Sequence, residues 1–152
     1  MKDHGTWSRY KPIDPPENFP ANALYAKRDS DGTDWYNYVR SNVFEKNSIK
    51  LSVRVWTDGG LPTISAPQLD ASHLFPVDHR VIEIEGDYSN LDEEARIKRF
   101  AGKIIDLKTG KISDPPIREP EPETPKVITD ILKRLAKLES RKLPHNIHRI
   151  LD

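Results

Sequence analysis

The chain has 152 residues, with 24 Lys and Arg against 24 Asp and Glu, 36% apolar and 32% charged residues, 13 Pro and no Cys. That length is one domain's worth, and so modest an apolar share confines the core to a subset of the chain, a size that is marginally stable without partners. Balanced charge gives no global field for nucleic acid or anionic membrane, the lack of Cys excludes disulfides and thiolate metal sites, and no run nears the roughly 18 apolar residues of a membrane span.

Residues 1–22 are polar, carry Pro12, Pro15, Pro16 and Pro20, and hold the aromatics Trp7, Tyr10 and Phe19. Proline favours extended polyproline conformations and is excluded from central strands. The stretch is expected as an extended N-terminal arm. Its aromatics either fold back onto their own domain or dock into a partner, which makes Trp7 and Tyr10 interface candidates. Met1 to Arg9 contain no apolar h-region, so no secretory signal is expected.

Residues 23–113 read as a small antiparallel β module. Ala23–Lys27 is a short strand, Asp29–Asp34 a turn containing Asp-Gly, and Trp35–Val39 an aromatic strand. The Asp29, Asp31 and Gly32 cluster fails the calcium-loop pattern, because Lys27 and Tyr38 fall where ligands belong. Arg40–Ser48 is a polar connection with Phe44 turned inward. Ile49, Leu51, Val53 and Val55 then alternate with Lys50, Ser52, Arg54 and Trp56, the period of a strand with one buried face. Its other face is either ordinary solvated surface or a basic–aromatic contact surface around Trp56. Thr57–Gly60 is a turn, Leu61–Ala66 a weaker strand, and Asp70–Phe75 one helical turn capped by Asp70 or Ser72. Val81–Glu85 is a strand whose Glu83 and Glu85 are expected on a solvated edge. Leu91–Arg99 reads as a short helix or an irregular connection, its acidic start and basic end matching a helix dipole. Phe100–Leu107 and Ile112 form a small hairpin around Thr109-Gly110.

Residues 114–125 hold five Pro and read as a stiff linker. Residues 126–152 form a C-terminal helix and tail, opened by Thr124 as N-cap and Pro125 at the first helical position, and stopped by Pro144. Ile128, Ile131, Leu135 and Leu138 follow the three-four spacing of a coiled-coil seam, with Lys133, Arg134 and Lys137 facing outward. Two heptads do not hold a coiled coil by themselves. The seam must therefore be covered, by the chain's own β domain or by another subunit or protein.

Reactive constellations are sparse. His145 and His148 lack the four-residue spacing and third ligand of a zinc helix, Asp58-Gly59-Gly60 is a turn and not a phosphate cradle, and no Ser sits in a strand–turn–helix elbow. Neither a metal nor a cofactor is expected. An enzyme would have to be built on His73, His79 and Asp78.

Three motifs carry a family resemblance: Leu24-Tyr-Ala-Lys27 with Asp34-Trp-Tyr36, the run Asp70-Ala-Ser-His-Leu-Phe-Pro-Val-Asp-His-Arg-Val-Ile-Glu-Ile84, and Phe100-Ala-Gly-Lys-Ile-Ile105. Over about residues 23–105 the chain resembles the bacteriophage tail-fibre assembly or tail accessory proteins. It departs from them in its N-terminal stretch and in its linker and helix. The resemblance implies a non-enzymatic virion component, assembled in the host cytoplasm and placed at the tail tip, baseplate or fibre base. Its partners would be other tail or fibre proteins and copies of itself, without nucleic acid or a membrane span. Trp7, Tyr10, Trp56, Ile128, Ile131, Leu135 and Leu138 are the expected interface residues. A released tail-fibre chaperone is the alternative, and a small His/Asp enzyme a third.

Overall fold

The computed structural model describes residues 1–119 and 125–140. The protein is mainly β, with a seven-stranded antiparallel sheet and a terminal helix. The strands are β1 (Lys2–Tyr10), β2 (Tyr25–Arg28), β3 (Ile49–Arg54), β4 (Thr63–Gln68), β5 (His79–Ile84), β6 (Ile104–Ile105) and β7 (Ile112–Ser113), and the helices are α1 (Trp35–Arg40), α2 (Glu93–Phe100) and α3 (Pro125–Ser140). The sheet order is β2-β1-β5-β3-β4-β6-β7. Met1–Pro115 form one compact unit and a second unit begins at Pro116, inside the expected linker. Residues 114–119 have no regular structure and are exposed.

The N-terminal stretch corrects the expected arm. Lys2–Tyr10 is an interior strand, paired to β2 on one side and β5 on the other. The prolines that argued against a strand all lie beyond Tyr10, in the connection to β2. Polar composition hid the strand because its buried residues, His4 and Trp7, are three apart instead of two or four. The cause is a bulge. Between Asp3 and Thr6 the strand advances three residues while β5 advances two, from Ile82 to Arg80. Gly5 takes up the extra residue at φ 85°, where L-residues are strained, and a Cβ there would also lie 3.0 Å from the Arg28 side chain. The extra residue brings His4 and Trp7 to the same face.

The aromatic stretch after the Asp-Gly turn corrects a second expectation. The turn is present, with Gly32 at φ 73° and Arg28 N–H donating to the Thr33 carbonyl at 2.9 Å. The chain then pairs only through a single Lys27–Asp34 bridge before becoming α1 and not a strand. Asp34 is the N-cap, its carboxylate accepting from Asn37 N–H at 3.1 Å. Trp35, Tyr38 and Val39, spaced three and four apart, turn toward the sheet, and Trp35 is buried.

Two apolar clusters lie on the sheet's two faces. Ile49, Leu51, Val53, Ile64, Ile82, Phe100 and Ile105 form one, where α2 closes the sheet. Trp7, Ala26, Trp35, Ala71, Leu74 and Val81 form the other, beneath α1 and a 3-10 turn at Ala71–His73. Trp7 and Trp35 meet edge to face, with ring centroids 4.8 Å apart. Strand β3 is buried from Ile49 through Val53, so the expectation of one solvated face is corrected. Its alternation separates apolar from polar side chains, but both sides are covered.

The locally signalled elements fall where expected. Asp70 caps the 3-10 turn by accepting from Ser72 N–H at 2.9 Å, and Asp92 caps α2 by accepting from Ala95 N–H at 2.8 Å. Asp106 accepts from Lys108 and Thr109 N–H in the turn of the β6–β7 hairpin, and Gly110 there sits at φ 74°. The Pro-rich connection between β1 and β2 is held by Phe19, whose ring lies 5.9 Å from Tyr25 and 5.2 Å from Tyr36 by centroid.

Candidate interaction surface

Among the described residues, helix α3 carries five exposed large apolar side chains, more than any other single element. Ile128, Ile131, Leu135 and Leu138 are 57%, 50%, 51% and 58% exposed. With Ile128 at heptad position a, Ile131 is d, Leu135 is a and Leu138 is d, so the seam repeats over two heptads. Leu132, 60% exposed, widens it at position e. Thr129, Asp130, Lys133, Ala136, Lys137 and Ser140 occupy b, c and f and leave the opposite face polar or small. Full burial of a Leu or Ile is worth roughly 1.5–3 kcal/mol, so covering the seam would contribute several kcal/mol. Thr124 and the tail from residue 141 on, with Pro144, His145 and His148, lie outside the described residues.

Trp56 follows β3 and is 40% exposed. The Arg54 guanidinium sits 4.1 Å from its ring centroid, a cation–π pair that covers part of the indole. The turn folds back on the ring so closely that a Cβ on Gly60 would lie 2.9 Å from Trp56. Val55 and Leu61 flank it, both exposed. Trp56 is therefore at the surface as expected, with a cation over its ring.

Trp7 is not at the surface. It has no exposed area, and its indole N–H donates to the His4 carbonyl at 3.2 Å, which corrects its assignment as an interface anchor. Tyr10 is half-buried and its hydroxyl donates to Asp34 at 2.7 Å. Burial and that carboxylate push the Tyr10 phenol up to about 12. Because the same Asp34 caps α1, Tyr10 ties the end of β1 to the start of the helix. Both aromatics brace the β unit internally.

Beneath Phe44 and Tyr38 lies a polar cluster that sequence reasoning missed. Glu83 is fully buried, and this corrects its expected place on a solvated edge. One carboxylate oxygen accepts from Glu45 N–H at 2.9 Å and from the Ser48 hydroxyl at 2.8 Å. The other lies 3.6 Å from His4 Nε2 and 3.9 Å from the Lys2 ammonium. His4 Nδ1 and the Tyr38 hydroxyl are 2.7 Å apart. Burial holds the His4 imidazole below its ordinary value, against the opposing pull of Glu83. Lys50, the cross-strand neighbour of Glu83, is also buried and donates to the carbonyls of Glu45, Ser48 and Leu69 at 2.7, 3.1 and 2.7 Å. Burial lowers its pKa, with Glu83, Asp70 and Glu45 pulling the other way. The cluster joins β1, β3, β5 and the connection 41–48. The signal for it in the sequence is slight: Glu83 between Ile82 and Ile84, and a Gly within a strand.

The two histidines named for an enzyme have separate surroundings. His79 Nδ1 lies 2.6 Å from the Val77 carbonyl and Nε2 lies 3.0 Å from the Ser65 hydroxyl, so both ring nitrogens are engaged. His73 is exposed, 4.0 Å from Asp70, beside a hollow of about 330 Å³ that Val39, Arg40 and Phe75 also line. Asp78 adopts φ 57° between β5 and that turn. Among the described residues, no group of three or more His, Asp or Glu is placed to hold a metal ion, and no helix is long and apolar enough to cross a membrane. Neither a protein-family model nor a curated protein matches the chain.

Proposed function

We propose that this protein is a structural, non-enzymatic component of a bacteriophage tail, in which α3 joins the β unit to its neighbours in the assembly. The observation that carries the joining role is the α3 seam, four Leu and Ile side chains on one helical face and each about half exposed or more. A Pro-rich stretch precedes it, a composition that spaces and stiffens without burying the chain. The tail itself comes from the sequence resemblance over residues 23–105, and the site is the virion at the tail tip, baseplate or fibre base. The exposed Trp56 is a second contact available to a neighbour.

The test is mass spectrometry of highly purified particles from the source, with peptide intensities scaled to those of major tail proteins. A stoichiometric signal is the expected result. Absence from particles, with presence in the infected-cell lysate, would overturn the structural role in favour of a released chaperone. Finding the protein in cells that make no particles would remove the bacteriophage assignment.

A further inference from the structure

We infer that the partner of α3 is a second copy of α3, lying parallel and in register with the first. This deepens the joining role and rests on it, but it does not depend on the bacteriophage assignment.

The seam is self-complementary by position. Apolar residues at a (Ile128, Leu135) and d (Ile131, Leu138) provide both the knobs and the holes that an identical parallel helix requires. The flanking charges select the orientation. Position g holds Arg134, and the e position five residues on holds Glu139. In a parallel in-register pair, a g residue meets the next e residue of its partner, so each Arg134 meets the other copy's Glu139, and symmetry makes the contact twice. In an antiparallel pair g faces g and e faces e. Glu139 would then face Leu132 or another Glu139, and Arg134 would find no acidic partner at g. Leu132, at the other e position, extends the apolar face in the parallel arrangement. The b, c and f positions offer no second apolar face to compete.

Two heptads give a weak contact in isolation. Self-association is therefore expected to be reversible and concentration-dependent, and to tighten where an assembly holds copies close together.

The experiment uses the full chain. Sedimentation equilibrium over a wide concentration range should show reversible self-association, lost in Ile131→Asp and Leu135→Asp while the circular dichroism and melting of the β unit are unchanged. Arg134→Glu and Glu139→Arg should each weaken association by roughly fivefold or more, since each turns an exposed attractive pair into a like-charge pair. The double variant, and an equimolar mixture of the two single variants, should recover it. The chain has no Cys, so Leu138→Cys introduces the sole thiol. Mild oxidation should then cross-link copies through residue 138, as only the parallel arrangement places that position against itself.

A wild-type chain that stays monomeric throughout would overturn the inference, as would a double variant that fails to recover or a Leu138→Cys chain that does not cross-link. Particle incorporation separates the two levels. If a monomeric chain enters particles and Ile131→Asp abolishes entry, α3 joins a different protein and only self-recognition falls. If Ile131→Asp enters particles normally, the joining role itself falls.

Discussion

Strand β1 and helix α3 lie in different units of the chain and treat their apolar side chains in opposite ways. Strand β1 comes from a polar stretch, yet its Trp7 is completely buried. Helix α3 has the most regular amphipathic pattern in the sequence, yet its seam is half exposed or more. The strength of a local pattern therefore says little about where its apolar face is satisfied. A strand's backbone hydrogen bonds are non-local, so β1 is a strand only through partners distant in the chain, and its placement between β2 and β5 carries Trp7 into the core. A helix satisfies its own backbone. It requires only a cover for one stripe, and that cover need not come from its own domain.

The sharpest way to break this contrast is Trp7→Ala. Loss of a buried Trp is expected to destabilise the β unit by about 3–5 kcal/mol in chemical denaturation. A variant that kept its stability and lost assembly instead would restore Trp7 as an interface anchor. Glu83→Ala comes next. It leaves the Glu45 N–H without its acceptor, at about 1–3 kcal/mol for a donor left unpaired, while the Ser48 hydroxyl keeps the Glu45 carbonyl at 2.9 Å; the same unfolding curves read the loss. A neutral result there would mean that the polar cluster does not hold the strands.

A smaller effect should appear with pH. The folded-state pKa of His4 lies below its ordinary 6.5, so the unfolded chain binds the proton more readily. Stability is then expected to fall as pH drops below about 6.5 and to level off once pH is below the folded value as well. Glu83, Lys2, Asp3 and Tyr38 surround the ring, and Glu83 opposes the shift. His4→Gln should flatten that part of the stability–pH curve. An unchanged slope would assign the acid sensitivity to carboxylates such as Asp3, which Arg80 and the Gly5 N–H hold low despite the burial that raises it. The smallest effect on folding is expected from Ile131→Asp, within about 0.5 kcal/mol as for most surface changes. Its melting curve should overlay the wild type even as association is lost. A large drop in stability would show that the seam is covered within the chain.

Elements with short-range signals are legible in the amino-acid sequence. Asp70, the acidic start and basic end of Leu91–Arg99 and the Thr109-Gly110 turn mark the 3-10 turn, α2 and the β6–β7 hairpin, because such signals need only neighbours within a few residues. The α3 seam is legible for the same reason, being a periodicity internal to one helix. The aromatic run at α1 is not, because Trp35, Tyr36 and Tyr38 suit either period and only the Asp34 cap favours the helix.

By itself, then, the sequence determined a mainly β chain with a terminal amphipathic helix, its turns and its caps, all of which arise from interactions between near neighbours. The tertiary structure alone decided that residues 2–10 are a central strand, that both faces of β3 are covered, and that His4, Lys50 and Glu83 are enclosed. Those outcomes depend on a one-residue bulge at Gly5 and on pairings between residues up to about 80 positions apart, as from Lys2 to Glu83. No local periodicity encodes which distant segment a strand will meet.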